Sequence, residues 1–429
     1  MKSQLNDQNQ LTSFLFSSEN MKTLYQKYSD VILVDSTYKT NKYKMPLLIL
    51  AAINNQNKTF LIGFSVIKDE TYESVNWVFK HLFEYLEIKP TIIVSDSCKT
   101  LKKNISEVLA ESTHLICGWH VSQNIKSHLT PLSKFLFVFI KLFKGSHLTP
   151  KEIEDVINIP NISSKKQVEE IFEKILSLKI PEKSKSYYDE KFETKEAWCM
   201  AYKKSLPCLR IGTTSRIEGI NAIVKTELNL SSRLVELLLR MLQINDHILN
   251  KSYSDGNLVS DLLLENLKDN SLLISIKDLV SEYVYKQVAL SISKSFDLIP
   301  KLYKGVYTIT TKDGFNIEID KKNPNCTCKY YTTMGIICSH LVAVVLKNKD
   351  FLVQRFIRKR WIKDPFEKDL SDMKIIAGIK DFLMQEEKNN QEFESKNSEV
   401  EEDRISEGQI KEEIKENESK ENQISDSGN

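Results

Sequence analysis

A chain of 429 residues with 41% hydrophobic content has room for two or three domains with real cores, which excludes a wholly disordered protein. No apolar run approaches the roughly 20 residues that cross a bilayer, and the opening MKSQLNDQNQLTSFLF lacks the basic start and long apolar core of a secretion signal, so no membrane segment is expected. The net charge of +2 conceals a basic body, with 54 Lys and Arg against 43 Asp and Glu in the first 384 residues, which suits a polyanionic partner such as nucleic acid.

Residues 1–24 read as a lead segment. From residue 31 the runs VILVDSTY (31–38), PLLILAAIN (46–54), TFLIGFSVI (59–67), TIIVSD (91–96) and HLICGWHV (114–121) predict strands. Asn54-Asn55-Gln56-Asn57 is a turn that makes the second and third runs an antiparallel hairpin. VNWVFKHLFEYL (75–86) and TLKKNISEVLA (100–110) repeat apolar residues at three and four, the spacing of amphipathic helices. The expected class is α/β, a mixed sheet covered by helices. Residues 122–300 predict helices at 134–143, 151–158, 166–178, 216–228, 232–249 and 258–290; strands return at VYTIT (306–310) and FNIEID (315–320). Beyond them a basic run, RFIRKRWIK (355–363), sets Arg355, Arg358, Lys359 and Arg360 around Phe356 and Trp361, as a DNA phosphate contact, a nuclear import signal or a solvated helix face. The last 45 residues hold 15 Asp and Glu against 6 Lys and Arg, and such a tail is expected to be disordered.

Three of the seven cysteines fall together in CTCKYYTTMGIICSH. Cys326, Cys328, Cys338 and His340 supply the four soft or borderline ligands of a closed zinc site, which leaves no open position for catalysis. The preceding hairpin and the following LVAVVLKN would form a small ββα unit, with metal supplying folding energy that its own core lacks. An odd cysteine count with this cluster fits a reducing, intracellular setting.

Chemistry must then lie elsewhere. Asp35 and Asp96 each close a run of mostly apolar strand, where reactive groups gather in sheets covered by helices; either is equally a turn former. Two such acids on neighbouring strands repel unless cations bridge them, as in a two-metal phosphoryl-transfer site. Cys117-x-x-His120 offers two further ligands, too few to close a zinc site, and reads also as a buried Cys and a satisfied His at a strand end. Trp119 between them is either a base-stacking surface or core.

DVILVDSTYKTNKYKMPLLILAAINNQNKTFLIGFSVIKDE, IIVSDSCKTL and HLICGWHVSQNI together resemble the transposase domain of Mutator-like elements (MULE), and the CxCx9CxH pattern resembles the SWIM zinc finger that often follows it. That resemblance implies an RNase H-like fold and a DDE triad holding two Mg²⁺ or Mn²⁺ ions. Matched by motif, the triad is Asp35, Asp96 and, in TTSRIEGINAIVKTEL, Glu218; Asn221, one turn on, would face the same site, and Cys117 and His120 would support it. Ser215-x-x-Glu218 reads as well as a helix capping box, which would tie the carboxylate to backbone amides. The implied organisation is an RNase H-like first part at 25–130, a helical insertion at 131–204, a helical return at 205–300, a SWIM finger at 305–350, a basic helical segment at 351–384 and the acidic tail at 385–429. The implied activity is DNA cutting and joining by a nuclear DDE transposase, acting on transposon ends and target DNA as a homo-oligomer. Domesticated relatives that bind DNA and regulate transcription without catalysis are the alternative. Full-length relatives usually carry a DNA-binding zinc finger ahead of the transposase domain, so this chain is expected to be a truncated copy or to read DNA through its SWIM unit and basic surface.

Overall fold

The computed structural model describes residues 1–139, 150–177, 182–203, 205–250, 260–311, 314, 316–321, 325–347 and 356–363; Arg355 and the acidic tail lie outside them. The first part runs β1 (Lys2–Leu5), β2 (Leu11–Phe16), α1 (Glu19–Lys27), β3 (Val31–Thr37), β4 (Leu47–Ile53), β5 (Thr59–Ile67), α2 (Tyr72–Leu86), β6 (Ile92–Ser95), α3 (Lys99–Val108), β7 (Thr113–Ile116) and α4 (Gly118–Phe139). Seven strands pair in the order β1-β2-β5-β4-β3-β6-β7. The β3-β6 and β6-β7 pairs are parallel and the others antiparallel, giving the expected RNase H-like mixed sheet.

Strands β4 and β5 are buried along their whole length, which is why they read as near-continuous apolar runs: both faces are covered. On one face Ile32, Val34, Leu50 and Phe60 pack with Val78, Phe79 and Leu82 of α2 and Ile105 of α3. Gly63 on β5 is required by closeness, since a Cβ there would lie 2.9 Å from Leu82 Cδ1 and 3.1 Å from the Phe16 carbonyl. The lead segment, residues 1–24, carries the β1-β2 hairpin, which extends the sheet beside β5, and the start of α1. Strand β1 is exposed throughout, so the sequence carries no burial signal for it.

The middle of the chain continues with α5 (Pro150–Ile157), α6 (Lys165–Ser177), α7 (Glu182–Glu193), α8 (Lys195–Trp198) and α9 (Met200–Lys203), which build a second core around Phe172, Tyr188 and Trp198. Then come α10 (Ser215–Glu227), α11 (Leu234–Asn250), α12 (Asp261–Asn266), α13 (Ser271–Ile274) and α14 (Glu282–Ser295). Asn245 of α11 accepts the Leu61 amide at 2.9 Å, beside the register shift between β4 and β5. The single helix expected over 258–290 is three, because Ser260, Asn270 and Ser281 each cap a new start by accepting amides of the following turn.

A three-stranded sheet of β8 (Lys301–Tyr303), β9 (Val306–Thr310) and β10 (Asn316–Asp320) precedes α15 (Tyr330–Met334) and α16 (Ser339–Lys347), so the expected ββα finger gains one strand and one short helix. Gly335 joins the two helices with φ +72°, and a Cβ there would meet Arg358 Cδ at 2.5 Å. The basic run forms a 3₁₀ turn, Lys359–Trp361, inside an irregular strap rather than a helix. Fully buried Trp361 donates from Nε1 to the Met334 carbonyl at 2.7 Å, and Ile362 bridges to Val280. No helix among the described residues is long and apolar enough to cross a membrane.

Candidate functional site

The register of β3 and β6 pairs Leu33 with Val94, and Asp35 and Asp96 each stand two residues farther on. Side chains repeat every second residue along a strand, so the two acids emerge at equal height where neighbouring parallel strands end. Helix α10 lies across this end. Its Asn221 donates from Nδ2 to Asp35 Oδ2 at 3.0 Å, and its Arg216 grips Asn57 in the β4-β5 turn through the carbonyl at 2.8 Å and Oδ1 at 2.9 Å. Asp35 is 7% exposed, and its carboxyl is pushed up to about 7 by burial, with the charges of Asp96 and Glu218 adding and His120 opposing. The structure thus brings together Asp35, Asp96, Glu218, His120 and Asn221. Asn221 Oδ1 and Thr37 Oγ1, both in or beside this cluster, are buried without a hydrogen-bond partner among the described residues. Crowded hard oxygens with orphaned acceptors are a donor set that a divalent cation such as Mg²⁺ fits.

The predicted strand 114–121 ends early. Strand β7 stops at Ile116, and Gly118, Trp119 and His120 form the first turn of α4. Backbone bonds fix this corner: the Cys117 amide donates to Ser95 O and the Gly118 amide to Gly212 O, both at 2.7 Å. Lys203, 1% exposed, donates from Nζ to the Ile116 carbonyl at 3.0 Å, and burial lowers it to about 8. The Thr214 amide donates to Cys117 Sγ at 3.3 Å. Burial pushes the Cys117 thiol up, but His120 and Thr214 outweigh it and the thiol lies below its ordinary range. His120 is raised to about 9, first by Cys117 and then by Asp35 and Glu218, against its own desolvation. Trp119 is 46% exposed, so it is not core.

The capping box at Glu218 is not formed. Thr214, not Ser215, is the residue before the first helical one, which places Glu218 fourth in α10, and the Thr214 hydroxyl donates to Glu218 Oε1 at 3.2 Å. Among the described residues the carboxylate takes no backbone amide, and it stands 3.9 Å from His120 Nε2. Thr214, Gly212 and Lys203, which shape this corner, carry no sequence signal of their own. Their roles appear only once α9 and α10 fold back on β7.

Cys326, Cys328, Cys338 and His340 converge, with one ligand atom of each within 4.8 Å of the others. Their neighbours split the thiols, holding Cys328 far below the ordinary range and pushing Cys326 up to about 12, as donors sharing one charge would. His340 Nδ1 is buried with no hydrogen-bond partner among the described residues. The cluster fits zinc in a closed site.

The basic run is mostly committed elsewhere. Arg360, with a side chain only 7% exposed, pairs with Asp30 and donates to the Ile53 carbonyl at 2.7 Å. Arg358 donates to the Thr332 carbonyl at 2.7 Å. Both guanidinium groups thus bond protein carbonyls, while Lys359 is exposed.

The MULE transposase domain family matches residues 31–124, and the SWIM zinc finger family matches residues 310–349. Among curated proteins, Protein FAR1-RELATED SEQUENCE 6 of Arabidopsis thaliana is 29% identical over 150 residues, 35% of this chain and 21% of that protein. Protein FAR1-RELATED SEQUENCE 4 of the same plant is 22% identical over 351 residues, 79% of this chain and 46% of that protein. The chain therefore spans less than half the length of these relatives. The solved HTLV-2 integrase catalytic core domain in complex with magnesium is similar over 31% of this chain and 86% of its own, at 18% identity and a TM-score of 0.17. Cysteine cluster and family matches agree: the chain carries a MULE transposase domain at residues 31–124 and a SWIM zinc finger at residues 310–349.

Proposed function

We propose that the chain is a DDE-type transposase of the Mutator-like class, cutting and joining DNA by phosphoryl transfer. The observation that carries this reading is the convergence of Asp35, Asp96 and Glu218 at the ends of two parallel strands and one crossing helix, with Asp35 pushed up to about 7 by burial and by the other two acids. Mg²⁺ or Mn²⁺ held by these three carboxylates would supply the charge that ionises an attacking hydroxyl and steadies the leaving oxygen.

The chain's own part is placement. Strand β3 and the Asn221 amide fix Asp35, leaving one of its oxygens free of Asn221. Thr214 steers Glu218 toward the same space. His120, raised to about 9, is a cation at neutral pH and offsets carboxylate repulsion at the site's edge. Exposed Trp119, on the same turn, offers a face on which a DNA base can stack. Lys359 remains a phosphate contact. Double-stranded DNA as substrate, assembly as a homo-oligomer and nuclear residence follow from this reading.

Matching a FAR1-related protein over 79% of the chain favours a second reading, a domesticated DNA-binding regulator of transcription that has kept the fold without catalysis. One experiment separates them. Purified protein with Mg²⁺ or Mn²⁺ is incubated with DNA carrying the terminal repeats that flank its gene, beside Asp35→Asn. Strand cleavage by the wild type alone supports the transposase; binding without cleavage in either lane sinks it and favours the regulator.

A further inference from the structure

We infer that Cys117, His120 and Glu218 form a second zinc site, distinct from the finger, that can draw the third acid out of the carboxylate cluster. One ligand atom from each lies within 4.8 Å of the other two, and His120 Nε2 stands 3.9 Å from Glu218 Oε1. The corner that presents the first two ligands is rigid: backbone bonds of 2.7 Å pin Cys117 to Ser95 and Gly118 to Gly212. His120 Nδ1 is buried with no hydrogen-bond partner among the described residues, and the ring's side-chain bond is to Cys117, its neighbour in the proposed site.

The donor set decides the ion. A thiolate, an imidazole and a carboxylate with a fourth position open suit Zn²⁺, whereas Mg²⁺ takes oxygen. Zinc bonds of about 2.0–2.3 Å in a tetrahedron set ligand atoms about 3.3–3.8 Å apart. The 3.9 Å pair is within a side-chain adjustment of that spacing. Cys117-x-x-His120 supplies only two ligands in the sequence; the third comes from α10, about a hundred residues later.

Two metals would then compete for one carboxylate. With zinc on Cys117 and His120, Glu218 is turned from the oxygen-rich pocket shared by Asp35 and Asp96, and magnesium-dependent chemistry there stops. Only this consequence rests on the transposase reading; the zinc site stands without it.

The test reads metal directly. Full-length protein is loaded with excess Zn²⁺, cleared of free ion and weighed for metal per chain, then repeated with Co²⁺ to follow the thiolate-to-metal absorption band. Two zinc ions per wild-type chain are expected, falling to one in Cys117→Ser and one in His120→Gln, with the Co²⁺ band reduced in Cys117→Ser. Because Cys117 is buried, its variant must show a wild-type circular dichroism spectrum; His120→Gln, at a half-exposed position, decides if that variant misfolds. One zinc per wild-type chain, or two retained in folded His120→Gln, overturns the proposal. DNA cut in Mg²⁺ while two zinc ions are bound would overturn the competition for Glu218, and DNA left uncut by protein carrying only the finger's zinc would overturn the transposase reading alone.

Discussion

Replacing Asp35 with Asn should make the chain more stable at pH 8 and leave it unchanged near pH 4. In the native fold the Asp35 carboxyl is pushed from 3.8 to about 7. A rise of that size corresponds to about 4 kcal/mol against the charged form once the pH exceeds 7. The native state holds a proton between roughly pH 4 and 7 that the unfolded chain has released, so this group's contribution is greatest below about pH 4, falls as the pH climbs and is flat above about 7. Asparagine avoids that loss, but it forfeits the attraction of His120 and presents an amide to Asn221. Asn221 Oδ1, without a hydrogen-bond partner among the described residues, can turn to accept from it. About half of the gross figure, roughly 2 kcal/mol and a few degrees of melting temperature, should remain. Thermal and urea unfolding of both proteins in buffer free of divalent cations, at pH 4.5 and pH 8, measures it. A wild type at least as stable as Asp35→Asn at pH 8, or an offset equal at both pH values, would refute the account of a buried acid crowded by two others. Added Mg²⁺ should stabilise the wild type more than the variant and narrow the gap at pH 8.

Arg360→Ala should cost about 2–4 kcal/mol, because it strips a buried guanidinium from Asp30 and the Ile53 carbonyl, while Lys359→Ala should change stability by less than about 0.5 kcal/mol; urea midpoints compare them. Gly63→Ala drives a Cβ into Leu82 and the Phe16 carbonyl and should lower stability by about 1–3 kcal/mol in the same assay. Stripping zinc with a chelator should unfold the segment around Cys326 to His340 and speed amide exchange at Trp361, whose Nε1 rests on Met334 within the finger; unchanged protection there would refute a metal-supported finger.

Burial of both faces made β4 and β5 easy to read, since LLILAAI is wholly apolar and TFLIGFSVI, after Thr59, is broken only by Gly63 and Ser65. The zinc cluster was as legible, because its ligands sit within 15 residues and local spacing determines their convergence. Asp35 and Asp96 were visible as acids at strand ends, but Glu218 came only from family resemblance; its local pattern pointed to a capping box until the structure set the helix start one residue earlier than that box requires. The strap's partners were not legible because a basic run looks the same whether its arginines face water or a carbonyl. Arg360 turns inward to Asp30, some 330 positions away in sequence, and no local rule reports such a partner. Helices α7 to α9 were missed for a related reason, as EKSKSYYDEKFE has little apolar period and its Tyr188 is buried against the neighbouring helices.

The strap from Phe356 to Lys363 is a bracket between two workplaces. Arg360 clamps Asp30, at the base of the strand that carries Asp35, while its neighbour Trp361 is bonded to the finger's Met334. A finger on a slack tether could grip a ligand at any distance from the carboxylates. This one is bolted at both ends, so a loosened bracket would shift the spacing between the finger and Asp35 before it unfolded either.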